Sequence, residues 1–208
     1  GRKGFFQFDG SVASEMPCEV SAYVFDDMNV AQISKVYAVH NSQHGEIWWF
    51  YPSSSSNEND RYVAFNYQDQ TWSIGSMART SGVDRGIYNT PIYANATDFK
   101  IYDHEVGFDY SGDTPYAETG AIQIGNGDNI MHVKEVIPDE KNLGDVSVTF
   151  KTRPYPTATE TSHGAYSTAN PTSVRFNGRE VRMKVAAVEP SSWRVGIMRI
   201  DAVRGGRR

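Results

Sequence analysis

The chain has 208 residues, 39% apolar and 12% aromatic, and its 12 Tyr, 10 Phe and 4 Trp exclude general disorder, because aromatics supply the large buried areas a core needs. The formal charge of −5 is uneven: residues 1–174 carry 11 Lys/Arg against 22 Asp/Glu, a balance of −11, whereas residues 175–208 carry 9 against 3, a balance of +6. The one cysteine, Cys18, excludes an internal disulfide framework and a cysteine-based zinc finger, and no run approaches the about 20 consecutive apolar residues of a membrane span.

The start, Gly1-Arg2-Lys3-Gly4, has no Met and no apolar run behind its basic residues. No secretory signal is expected, and the chain reads as a processed or partial polypeptide. No window carries apolar residues at i, i+3, i+4 and i+7 between caps, so helix is not expected. Short aromatic and β-branched runs, punctuated by Gly, Asn, Asp, Ser and Pro, predict strands instead. In chain order these are Gly4–Phe8, Val20–Phe25, Lys35–His40, Glu46–Tyr51, Tyr62–Tyr67, Thr71–Ser76, Phe99–Asp103, Ala121–Ile124, Met131–Ile137, Asp145–Thr152, Ser173–Phe176, Val181–Val188 and Trp193–Ala202. Pro91 and Pro154–Pro156 mark loops, Ser53–Ser56 is a polar, flexible loop, and Asn126-Gly127 predicts a hairpin turn between the strands ending near Ile124 and starting near Ile130.

A degenerate repeat runs through this pattern: GFFQFDG at Gly4–Gly10, YVAFNYQDQTWSIG at Tyr62–Gly75 and FKIYDHEVG at Phe99–Gly107. The middle copy has the form of a propeller blade's inner hairpin, with Trp72 after the turn packing between sheets. Blades need about 40–50 residues each and a ring at least about four, so residues 1–144 hold roughly three, and either upstream chain completes the ring, the favoured reading, or these strands form a sandwich. Residues 145–208 predict a smaller antiparallel β unit with a basic terminus. There, Val181, Met183, Val185 and Ala187 alternate with Arg182 and Lys184, and Val181–Val188 is expected to pair with Trp193–Val203. Gly205 and Gly206 would leave Arg204, Arg207 and Arg208 on a flexible end, ordered only by contact with a neighbouring subunit. The fold expected is therefore all-β, with propeller-like blades followed by an antiparallel β unit.

Candidate chemistry is sparse. His40, His44 and Glu46 have a spacing that suits zinc on a helix, but the segment reads as a turn. Asp103, Glu105, Asp109 and Asp113 offer oxygen ligands without the Gly and Glu positions of an EF-hand loop, so they read as solvated turn carboxylates. No nucleophile elbow, phosphate-cradling loop or Cys–His pair is present, and the chain reads as non-enzymatic, with neither metal nor cofactor. The run Trp48, Trp49, Phe50, Tyr51 puts bulk on both faces of one strand. It reads as a central strand packed between layers, or alternatively as an exposed platform for carbohydrate or protein. Trp48, Trp49, Trp72 and Trp193 are the expected core aromatics.

EIWWFYPSSSSNENDRYVAFNYQDQTWSIGSMART at Glu46–Thr80, YDHEVG at Tyr102–Gly107, IQIGNGDNIMHVKEVIPD at Ile122–Asp139, VTFKTRPYP at Val148–Pro156 and the basic terminus together resemble virion proteins of tailed bacteriophages. The nearest resemblance is to the tail nozzle, also called the tail accessory or packaged-DNA-stabilisation protein, of short-tailed phages. It implies a hexameric ring of copies of this chain in the virion tail, contacting the head-to-tail adaptor and other tail proteins. Genomic DNA would pass through the lumen without sequence-specific binding. The acidic body fits such a lining, since carboxylates repel phosphates where a basic wall would hold them. The other reading is a receptor-recognition or carbohydrate-binding β-domain of a phage tail.

Overall fold

The computed structural model describes residues 4–108, 110, 113–124, 127–138, 146–168 and 170–207. Among the described residues strands make up 49% and helix 7%, so the all-β class holds, in several antiparallel sheets. The chain divides into two compact units between Val106 and Gly107.

In the first unit, β1 (Phe5–Phe8) and β2 (Ala13–Met16) form a hairpin, followed by α1 (Ser21–Asp27) and a 3-10 turn at Val30–Lys35. A four-stranded antiparallel meander comes next: β3 (Tyr37–Asn41), β4 (Glu46–Tyr51), β5 (Arg61–Asn66) and β6 (Thr71–Ser76). A second meander has three strands, β7 (Ser81–Val83), β8 (Ile92–Asn95) and β9 (Lys100–Asp103).

The period-2 alternation of β4 decides how these layers stack. Trp49 and Tyr51 face one side, where Phe5, Val24, Val63 and Trp72 join them, so the hairpin and α1 cover that face. Trp48 and Phe50 face the other, where Tyr37, Val39, Tyr62 and Tyr93 join them, so the second meander covers it. The two meanders share one device: Tyr62 lies opposite Gly75 across β5–β6, and Tyr93 lies opposite Gly82 across β7–β8. In each pair a Cβ on the glycine would overlap the tyrosine ring.

The second unit contains β10 (Tyr116–Glu118), β11 (Ile122–Gln123), β12 (Met131–Ile137), β13 (Val146–Arg153), β14 (Thr161–Ser167), β15 (Thr172–Gly178), β16 (Glu180–Ala187) and β17 (Arg199–Arg204). One sheet runs β10-β16-β13-β14 with β11 also on β16, and the other runs β15-β12-β17. Val146, Val148, Phe150, Val181 and Val185 from the first meet Met131, Val133, Val136, Val174 and Phe176 from the second in one core.

Several expectations are corrected. Val20–Phe25 is helical, because Val20, Val24, Phe25 and Met28 bury together at helical spacing. The division falls at residue 106 rather than 144, because β10 to β12 pair with β15, β16 and β17. β16 pairs with β10, β11 and β13, and β17 pairs with β12, so the expected hairpin through Glu189–Ser192 is instead a crossover between sheets. The crossover lets Val181 and Ile200 bury in the same core from opposite layers, and Trp193, Val195 and Met198 pack on that core from irregular backbone. β11 and β12 also enter different sheets, so no hairpin joins them; Asn126 lies outside the described residues.

Candidate functional site

The densest polar constellation in the first unit lies where the β3–β4 turn meets the second meander. The Asp84 carboxylate accepts from Ser42 N and Ser42 Oγ, both at 3.2 Å, and stands 3.1 Å from His40 Nδ1. Glu105 accepts from Asn41 Nδ2 at 2.9 Å and lies 3.0 Å from His44 Nε2. Burial pushes the Asp84 carboxyl up, but hydrogen bonds from Ser42 and Arg85, together with His40, outweigh it and hold the group below the usual carboxylate range. Each histidine thus takes its own carboxylate, while Glu46 accepts from Trp48 Nε1 at 2.8 Å. Among the described residues no group of three His, Cys, Asp or Glu side chains has metal-binding geometry, and Asp109 lies outside them. The turn therefore acts as a polar clasp between the two meanders.

A second cluster surrounds Arg79, which is only 7% exposed. Its Nε donates to His104 Nε2 at 2.8 Å, one Nη donates to the Ala78 carbonyl at 2.7 Å, and the guanidinium lies 4.0 Å from the centroid of the Tyr102 ring. The His104 ring in turn packs 4.0 Å from that of Tyr93. Burial, reinforced by the adjacent guanidinium, pushes His104 down to about 4, so at neutral pH it accepts without carrying charge. Burial likewise raises the Tyr37 and Tyr93 hydroxyls far above the ordinary tyrosine value. The sequence gives no local sign of this cluster, since its members come from β3, β8, β9 and the linkers Met77–Thr80 and His104.

The four expected core tryptophans are partly rather than fully buried. Trp48 packs with the second-meander side, Trp49 and Trp72 with the hairpin side, and Trp193 on the second unit's core. The fully enclosed aromatics are Phe50, Tyr51 and Phe150. The Trp48–Tyr51 run is thus a central strand covered on both faces, and it offers no open platform. Ser53 is buried, with its N and Oγ both donating to Asp60, so that loop is a closed turn rather than a flexible one.

The basic terminus is also more ordered than expected through residue 206. Gly205 N donates to Ile130 O at 2.7 Å and Ile130 N to Gly206 O at 3.0 Å, which extends the β12–β17 ladder. A Cβ at Gly205 would meet the His132 ring, which would have to turn aside. Arg204 is exposed, Arg207 reaches Asp128 only at 3.8 Å with its side chain 78% exposed, and Arg208 lies outside the described residues.

Apolar groups crowd both outer layers of the first unit. On the second meander, Val83, Ile92, Ala94 and Ile101 share the face turned away from Tyr93, and Ile101 is 75% exposed, with Phe99 91% exposed in the adjoining turn. On the hairpin, Phe6 and Phe8 share the face turned away from Phe5, and both are more than half exposed. No protein-family model matches the chain, and no curated protein matches it in sequence.

Proposed function

We propose that the chain is a non-enzymatic structural subunit of a tailed-phage virion, part of the tail nozzle or tube that retains and then conducts DNA. The observation that carries this reading is the pair of uncovered apolar outer layers on the first unit. Contiguous exposed apolar faces on a folded domain mark sites that other protein surfaces cover. One such face at each end of a hairpin–meander–meander stack suits repeated head-to-tail contact between copies, which closes into a ring when the rotation permits. The two meanders, one four-stranded and one three-stranded, would serve as blade-like layers, and further such layers, from the same chain or another copy, would complete the circuit. The acidic balance of residues 1–174 suits a lumen along which DNA slides, and the exposed Arg204 and Arg207 would face an adjacent subunit or tail protein. A carbohydrate-binding role draws less support, because the Trp48–Tyr51 platform it needs is covered.

Negative-stain electron microscopy of the purified chain, over a range of concentrations, tests the proposal. Closed rings with a central channel are expected. Discrete single-chain particles at every concentration, together with specific retention on a glycan array, would favour the carbohydrate-binding reading instead.

A further inference from the structure

β6 ends the four-stranded meander, and among the described residues it pairs with β5 alone. The hydrogen-bond parity of β5 determines what the outer edge of β6 presents. Tyr67 N donates to Gly45 O at 3.0 Å, one step beyond the Glu46–Asn66 pair, so Arg61, Val63 and Phe65 turn their backbone groups to β4. Tyr62, Ala64 and Asn66 therefore bond to β6, at Gly75, Ser73 and Thr71. Met77 N, which donates to Asp60 O at 2.9 Å, continues the same alternation one step beyond the Arg61–Ser76 pair. The N–H and C=O groups of Trp72, Ile74 and Ser76 are thus aimed away from β5, in a row along the edge. Exposed edges are ordinarily blunted by charge, proline or a bulge. Thr71–Ser76 contains no charged residue and no proline, and its register with β5 runs without a shift. The other edges of the first unit differ: β3 lies against β7, β9 carries Lys100 and Asp103, and the hairpin's strands have only four residues each.

We propose that the β6 edge takes up an extended strand of another protein, antiparallel to β6, by strand addition. The side chains beside the edge set the composition of that strand. Trp72 and Ile74 share the hairpin-side face, with Ile74 36% exposed, so apolar residues of the incoming strand fit there. Ser73 and Gly75 on the opposite face suit small or hydroxylated ones. Charge sets the ends. The first unit carries 7 Lys/Arg against 13 Asp/Glu, and two exposed carboxylates belong to the Trp72 end of the edge. Asp69 lies in the β5–β6 turn, and Glu19 follows two residues after Pro17, whose carbonyl accepts from Trp72 Nε1. Lysine or arginine at the ends of the incoming strand complements them, whereas a second copy of β6 would bring two acidic units together across a strand of six residues. This surface goes beyond the structural role and does not depend on it.

The probe is a synthetic heptapeptide, acetyl-Lys-Val-Thr-Val-Thr-Val-Lys-amide, prepared in two N-methylated forms and added in excess to the full chain. With its valines beside Trp72 and Ile74, the valine N–H groups face β6 and the threonine N–H groups face away. Methylating the threonine nitrogens keeps the ladder to β6 and stops the peptide pairing with itself. Methylating the valine nitrogens removes the ladder. Amide exchange followed by NMR should slow about tenfold at Trp72, Ile74 and Ser76 with the first form, and stay unchanged with the second. Ser76→Pro leaves the β5 pairing intact, because that N–H faces the edge, and it should weaken binding of the first form about tenfold. Equal protection by both forms, or none by either, overturns the proposal, as does a Ser76→Pro chain that binds like wild type. Protection of the same three amides in the peptide-free chain, growing with its own concentration, assigns the edge to a second copy and overturns it too.

Discussion

Single residues here are constrained mainly by what lies over them. Gly82 faces Tyr93, a ring only 2% exposed and hemmed in by Phe50 and His104, so it has no room to swing away from a new methyl group. Gly82→Ala should cost about 1–3 kcal/mol in urea unfolding, the range for an overpacked core, while Gly86→Ala, with nothing within 4 Å, stays within about 0.5 kcal/mol. His104 makes a different kind of prediction. Its folded value of about 4 lies below its ordinary 6.5, so the folded state favours the neutral ring. The resulting stability is complete above about pH 6.5 and is lost as pH falls from there towards 4, because the unfolded chain takes up the proton first. With solvent screening allowed for, the loss is of order 1–2 kcal/mol. His104→Gln retains an acceptor for Arg79 and removes the titration. Its stability relative to wild type should therefore improve between pH 6.5 and 4.5, and parallel curves for the two proteins would show that His104 is not responsible.

At the scale of elements, Trp72 ties the hairpin to the first meander. Its ring lies 4.6 Å from Phe5 and 4.6 Å from Phe65, and its N–H donates to the Pro17 carbonyl at 2.9 Å. Trp72→Ala should cost about 2–3 kcal/mol, somewhat below a fully enclosed tryptophan, and should speed amide exchange in β1 and β2 before the meander opens. A cost under about 1 kcal/mol, with exchange unchanged, would mean the hairpin is held by other contacts. The strands that sequence made legible are those whose cause is local: β4, β6 and β12 have the bounds predicted from their aromatic and β-branched runs between turn residues. β8 was hidden behind Pro91, and β14 in a Thr- and Ser-rich stretch whose outward residues carry no apolar alternation. Partner choice was not legible at all, because β16 and β17 are assigned by which side of a shared core they fill. The polar clasp escaped for the same reason: His40 and His44 find carboxylates 44 and 61 positions away, and no local motif records such distances.

For the whole molecule, the proposed assembly would proceed through apolar faces or through the basic terminus, and salt distinguishes the two. Contacts over Ile101 and Phe8 bury apolar surface, which added sulfate strengthens. Contacts through Arg204 and Arg207 are exposed ion pairs worth about 0.2–1 kcal/mol each, and they fade once the Debye length falls to about 3 Å at 1 M salt. The uncovered layers favour the apolar route, so wild-type mass should rise with concentration and persist, or increase, at high salt. Ile101→Lys places a charge in the middle of the outer β7–β9 face, and it should keep the chain at single-chain mass under conditions where wild type associates. Because Ile101 is 75% exposed, its melting temperature should barely change. Arg207→Glu should change the mass distribution little, since an exposed charge contact to a neighbour, like its own pair with Asp128 at 3.8 Å, adds only about 0.2–1 kcal/mol. Mass photometry and light scattering read all three proteins at low and high salt. If Ile101→Lys associates like wild type while Arg207→Glu or added salt disperses the particles, the charged terminus carries the contact and the apolar faces serve another partner.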